Sequence, residues 1–181
     1  MSEIIGNKDV FAIGYSFFDD SKSTEIYLFH NCKNILAYEK NNIVYTTRWN
    51  LDELVIWLKK FVGELSEDAY PVSNVEGIFA SQKDNSARDF DIDDDSEFEA
   101  YYTKLYQWNL RHRWHTVNTG EVIADMYFQL VGDKVEVSWN NKGLEPDVKY
   151  LSVEGGFYVE KKLFVNVVNQ FVEAYQKQWG V

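Results

Sequence analysis

The sequence is short of the residues that usually mark a protein's class. It has one cysteine, Cys32, which excludes an intramolecular disulfide and fits a reducing compartment; we expect a cytoplasmic protein. Prolines number two, Pro71 and Pro146. No stretch approaches the ~18 uncharged apolar residues of a membrane span. The opening MSEIIGNKDV lacks the basic and apolar segments of a signal peptide. Basic residues are in deficit: 18 Lys+Arg against 29 Asp+Glu leave a net charge of −11, which argues against direct nucleic-acid binding. Motifs are missing too. The chain has no G-x-S-x-G, phosphate-binding glycine loop, H-E-x-x-H or dinucleotide fingerprint, so no nucleophile–base pair can be nominated.

What is present is an ordinary globular composition, 45% hydrophobic and 26% charged, which excludes general disorder. Aromatics reach 17%. The length suits one domain over 1–181, able to bury roughly 70% of its unfolded surface. Alternating runs at Val10–Phe18 and Thr24–His30, with shorter ones at Ile35–Tyr38 and Ile43–Thr46, predict an antiparallel meander. Asn50 and Glu53 read as a capping box for a helix buried through Leu51, Leu54, Val55, Leu58, Phe61, Val62 and Leu65. Residues 66–93 read as loop with room for one helical turn. Ser96 and Glu99 are expected to cap a second helix, with Phe98, Tyr101, Tyr102, Leu105 and Trp108 on its buried side.

Val122–Trp139 reads as a hairpin turning at Gly132-Asp133. That register faces Leu130 with Val135, Phe128 with Val137 and Met126 with Trp139. It leaves Asp125, Tyr127, Gln129, Glu136, Ser138 and Asn140 on the other face, expected to be solvated. A short strand at Val148–Val153 and a helix over 160–179 complete the pattern. The fold class is α+β: an antiparallel sheet, from the N-terminal meander plus the C-terminal hairpin, with about three helices packed on one side.

Four groups of residues carry candidate chemistry. In the run 89–99, seven of eleven residues are acidic, so the rest of the chain carries only −4. Asp89, Asp91 and Asp93 stand at EF-hand spacing. The glycine and glutamate such a loop requires at its sixth and twelfth positions are missing from both registers, which fall on Asp94 and Ala100 or on Ser96 and Tyr102. The plain reading is a solvated loop complementing the next helix's positive end. The alternative is a partner-binding patch that includes Asp95 and Glu97. Arg111, His112, Arg113, Trp114 and His115 form a cationic-aromatic patch. With His30 and Cys32 it has enough ligands for tetrahedral zinc, yet none of the paired motifs, and hydrogen-bonded histidines are commoner. Pro146-Asp147 with Glu160-Lys161-Lys162 matches a loose metal-nuclease pattern, but Glu160 reads as a first-turn helix acid. The polar hairpin face is the fourth group, read as an exposed sheet surface.

The segments Tyr45–Leu58, Tyr70–Val72 and Trp108–Trp139 resemble a poorly characterised bacterial domain. Its pattern is a tryptophan-bearing helix, an Arg-His step (Arg111-His112), a Gly-led strand ending in Asp (Gly120–Asp125), a hydrophobic-Gly-Asp turn (Val131–Asp133) and a closing Ser138-Trp139. The resemblance spans roughly residues 35–175. Members occur alone or joined to zinc metallopeptidase domains of the ImmA/IrrE type. The peptidase motif is missing here, so that activity is not implied, and the family supplies no catalytic residues to transfer. His115, Thr116 and Val117 stand where it has arginine and alanines.

These readings together favour a non-catalytic interaction module of a bacterial or phage conflict system, needing no cofactor. Its partner would be another protein, such as a nuclease, toxin or peptidase. Candidate contacts are Asp89, Asp91, Asp93, Asp94, Asp95, Glu97, Arg111, His112, Arg113, Trp114 and His115. One rival is an acidic nucleic-acid mimic that occupies the basic groove of a nuclease or DNA-binding enzyme. Another is a metal-dependent hydrolase using Asp147, Glu160 and Lys162 or the histidines.

Overall fold

The computed structural model describes residues 2–19, 22–114 and 123–180. In chain order the elements are β1 (Glu3–Asn7), β2 (Phe11–Phe18), β3 (Ser23–His30), β4 (Lys33–Asn34), β5 (Tyr38–Lys40), β6 (Ile43–Tyr45), β7 (Thr47–Trp49), α1 (Asp52–Gly63) and α2 (Ala80–Arg88). There follow α3 (Asp95–His112), β8 (Met126–Val131), β9 (Lys134–Asn140), β10 (Lys149–Tyr150), β11 (Glu154–Glu160) and α4 (Lys161–Trp179). The class is α+β with antiparallel sheets. One sheet runs β1-β2-β3 with β4 and β7 both on β3; the others run β10-β5-β6 and β11-β9-β8.

The main core follows from residue period. Phe11, Ile13, Tyr15 and Phe17 share a face of β2, since alternate strand residues point the same way. α4 lies along that face: Phe164 stacks on Phe11 at 5.2 Å, Phe171 meets Tyr15 at 5.6 Å and Trp179 meets Phe17 edge-on at 5.8 Å. The hairpin forms in the register read from its sequence, with Leu130 opposite Val135, Phe128 opposite Val137 and Met126 opposite Trp139. Its apolar face closes on the same core, where Phe128 touches Phe61 of α1 and Phe164 of α4. Tyr175 ties the two helices together: its hydroxyl donates to Asp52 and accepts the Leu51 N–H.

Several expectations change. The structure has four helices among the described residues, not about three, and they do not share one side. α1 and α4 cover the apolar face of the hairpin, whereas α2 and α3 cover its polar face. α2 was hidden in the stretch expected to be loop. Its buried residues are Ala80, Ser81, Asp84 and Ala87, a helical face made of small and polar side chains that hydrophobic periodicity does not register. β11 was missed because Gly155 and Gly156 resemble a loop. They are required instead, because Trp139 and Phe79 lie flat where their side chains would stand. β1 went unread, and Ile35–Ala37 form a buried turn between β4 and β5 rather than a strand.

The helix starts also differ. Asn50 accepts the Asp52 N–H, but the first helical cap position is Leu51. In α3 the cap is Asp94, not Ser96, because its carboxylate accepts the N–H groups of Ser96 and Glu97.

A methyl group at Gly156 would sit 2.7 Å from ring carbons of Phe79, the residue that leads into α2. Gly156→Ala is expected to cost about 1–3 kcal/mol in urea unfolding. Gly132→Asn, at a left-handed turn position with open space around it, should be close to neutral.

Candidate functional site

The polar face of the hairpin is interior, which corrects the solvated surface expected from alternation. Asp84 of α2 is fully buried at its centre. Its carboxylate accepts from Tyr127 at 2.7 Å, Asn109 at 2.8 Å and the Arg88 guanidinium at 2.6 and 2.9 Å. Asp125 pairs with Arg113 through two bonds and lies 3.8 Å from Arg88. Burial pushes the Asp125 carboxyl up, opposed chiefly by Arg113. Burial likewise holds the Tyr127 and Tyr70 phenols far above their ordinary value, so both serve as donors. Two acids and two arginines balance here, as buried charge requires.

Glu136 sits beside them with 3% exposure. It accepts the Ala80 N–H at 2.7 Å and the Ser138 hydroxyl at 2.8 Å, which pins the start of α2 to β9. Burial raises its pKa; the Ala80 and Ser138 bonds oppose that only in part. These groups are committed to holding the helices on the sheet.

The expected cationic patch is likewise largely spent on structure. Arg111 donates twice to Asp68 and once to the Gln107 carbonyl. His112, the last residue of α3, is buried between the Phe128 carbonyl at 2.8 Å and Asp68 at 3.0 Å. Its two ring nitrogens thus tie the end of α3 to β8 on one side and to Asp68 on the other. Arg113 is bound to Asp125, and Trp114 is buried against Phe128. His115 lies outside the described residues. His30 stacks on Phe157 at 3.8 Å, and the Cys32 thiol donates to Asp9. No group of three metal-ligating side chains occurs among the described residues.

The acidic run has the opposite character. Asp89, Asp91, Asp93, Asp94, Asp95, Glu97 and Glu99 are all exposed. Asp94 is occupied as the helix cap, and bonds from the Ser96 hydroxyl and from the Glu97 and Ser96 N–H groups hold its carboxyl below the usual range. The loop is not loose. Tyr102 donates to the carbonyls of Arg88 and Phe90, Tyr101 donates to that of Ala87, and Phe90 stacks on Tyr101 at 5.5 Å.

Beside these acids runs an apolar stripe, of which Phe98 and Tyr102 were expected on the buried side of the helix. α3 carries two candidate faces, one through Leu105, Trp108 and His112 and one through Phe98, Tyr102, Tyr106 and Leu110. The first is buried. The second is largely exposed: Phe98 is 48%, Tyr106 59% and Leu110 41% exposed, while half-buried Tyr102 lies against Phe98 at 4.4 Å. The i, i+4 spacing was visible in the sequence; which face met the core was not.

The stripe ends at a cleft of about 290 Å³ between α1 and α3. Trp57, Phe61, Leu65 and Leu110 form its apolar lining, with Lys60 and the Arg111–Asp68–His112 group at its margin. Trp57 bridges the two helices by donating to the Leu110 carbonyl at 3.0 Å. In the metal-nuclease pattern, Glu160 ends β11 and pairs with Lys134, while Lys161 begins α4 and Asp147 lies before β10.

Glu136 gives a pH test. An acid whose folded pKa is raised subtracts stability as pH climbs from its unfolded value through its folded one. Glu136→Gln keeps the acceptor oxygen and removes that loss. The variant should therefore gain on the parent between acidic and neutral pH in paired urea titrations; a constant difference would show that Glu136 carries no such cost.

No protein-family model matches this chain, and no curated protein or solved structure matches it either.

Proposed function

We propose that this protein is a non-catalytic interaction module that binds a basic protein partner through the acidic, aromatic face of α3. The observation that carries the reading is the exposure of Phe98, Tyr106 and Leu110 along one stripe of α3, with half-buried Tyr102 between them and the carboxylates of 89–99 at its N-terminal end. Covering apolar surface returns about 25 cal/mol per Å², and tyrosines supply contact area with few rotors to freeze. The tethered loop holds its acids ready, so little ordering cost falls on binding. The charge favours a lysine- or arginine-rich segment. The setting in a bacterial or phage conflict system belongs to the proposal through the sequence resemblance alone.

Support for a binding role also comes from how the other polar groups are used. Asp84, Asp125, Arg88, Arg113 and His112 are all engaged in joining helices to sheet. Nucleic-acid mimicry is the second reading, favoured by the same exposed carboxylates standing in for phosphates. It assigns no role to the aromatic stripe.

The two readings separate with a defined probe, a lysine-rich helical peptide bearing leucines at i, i+4. Its binding, followed by fluorescence anisotropy, should weaken as salt rises from about 50 to about 300 mM. Neutralising Asp91, Asp93, Asp95 and Glu97 together should weaken it about tenfold or more. Phe98→Ser with Tyr106→Ser should weaken it even at high salt. Charge dependence without aromatic dependence would favour the mimic; no dependence on either set would overturn both readings.

A further inference from the structure

Hydrogen bonds, rather than apolar burial, seat α2 on the hairpin. This helix is nine residues long, and alanine is its largest apolar side chain. A helix so short is marginal in water unless its neighbours hold it. The apolar contact beneath it is a small cluster of Ala80, Trp108, Tyr127 and Tyr70, apart from the main core. The Ala80 N–H donates to Glu136 at 2.7 Å and the Ser81 N–H to the Ser138 hydroxyl at 3.2 Å. Tyr127 and Asn109 donate to Asp84. The seat is imperfect: among the described residues, the buried Ser81 hydroxyl and the Asn109 side-chain carbonyl find no partner, which subtracts from closure.

The charges at this seam divide into matched sets. Arg88 bonds Asp84 on α2 itself, while Arg113 bonds Asp125 on the body of the fold. What crosses between the sets is the 3.8 Å approach of Arg88 to Asp125 and the Tyr127 hydroxyl, which donates to Asp84 and accepts from Arg88. Lifting α2 away therefore strands no buried charge, since each side keeps its own counter-ion. Glu136 is the buried acid here that lacks a bonded cation among the described residues. Irregular chain flanks the helix at 68–79 and 89–94, so it can move without dragging another element.

We propose that α2 is a latch with Glu136 as its catch: it lifts off the hairpin as a unit while the hairpin, α1 and α4 stay in place. Opening breaks the bonds from Tyr101 and Tyr102 to the Ala87 and Arg88 carbonyls and frees the acidic run from α3. Only that consequence rests on reading α3 and its acids as a binding face; the opening itself does not. Glu136 also sets a direction. It faces Lys83 on α2 and Tyr158 on β11, and its opposite on β8, Gln129, is neutral. Asp84 of α2 is turned to Tyr127 and Arg88. Burial raises the pKa of Glu136 in the closed state. The closed latch thus holds that proton more tightly than the open one. Closure is firm at acidic pH and weakens as pH climbs from the ordinary glutamate value through the raised one.

Amide exchange on the full chain, read residue by residue by NMR and corrected for the intrinsic rate, provides the test. The amides of 84–88 should share one protection factor, roughly a hundredfold below that of α4. It should fall between acidic and neutral pH, and Glu136→Gln should remove that fall. Ser81→Ala deletes the unpartnered hydroxyl and should slow α2 exchange about fivefold at every pH without slowing α4. If α2 shares the protection factor of α4, or if Glu136→Gln leaves the pH dependence intact, the latch falls. The lysine-rich peptide, once bound, should slow α2 exchange by holding the acids in their closed position. Binding without that slowing removes the link between latch and acidic run. Opening of α2 in a protein that does not bind the peptide leaves the latch standing and removes the binding-face reading.

Discussion

Asp84 is the joint on which the arrangement depends. A carboxylate with no solvent exposure must be met by donors, or the cost of burying it exceeds anything its neighbours return. Its donors come from α2 itself (Arg88), from α3 (Asn109) and from β8 (Tyr127), so satisfying one side chain sets three elements against each other. Arg88 then reaches Asp125, and Arg113 closes the set from just beyond the end of α3. Losing one partner from such a buried set typically costs about 3–5 kcal/mol, because the remaining charge is stranded. The second layer of helices is therefore held by directional polar contacts, while the first is held by the aromatic core around Phe128 and Phe164.

That division has a consequence for the surface. α3 is gripped through its C-terminal half, at Leu105, Trp108, Asn109 and His112, while residues 93–100 are exposed throughout. Tyrosine hydroxyls tie the preceding loop back to α2, which holds the acids in place without covering them. A helix anchored at one end and presented at the other is suited to meeting a partner. Its stripe of Phe98, Tyr106 and Leu110 is one of the exposed apolar runs of the described fold, as is Ile43–Tyr45 of β6.

Much of this was legible from residue pattern. The α+β class, the hairpin register and the buried stripes of α1 and α4 follow from period and turn chemistry, which are local. α2 and β11 were not legible. One buries alanine, serine and aspartate, and the other is built around paired glycines; both owe their existence to what lies against them. The candidate site divides in the same way. The acidity of 89–99 can be counted, but Arg111, His112, Arg113 and Trp114 looked available and prove to be bonded or buried.

The single cysteine and the excess of acidic over basic residues can be counted in the sequence. Two further matters depended on tertiary structure alone: the burial of the polar hairpin face and the choice between the two apolar faces of α3. Alternation along a strand shows that two faces differ, not which of them meets water. Here a second helical layer supplied Asp84, Arg88 and the α2 N–H groups to satisfy the polar side, and so both faces of the hairpin are interior. With that layer turned inward, the helix α3 brought its other stripe to the surface.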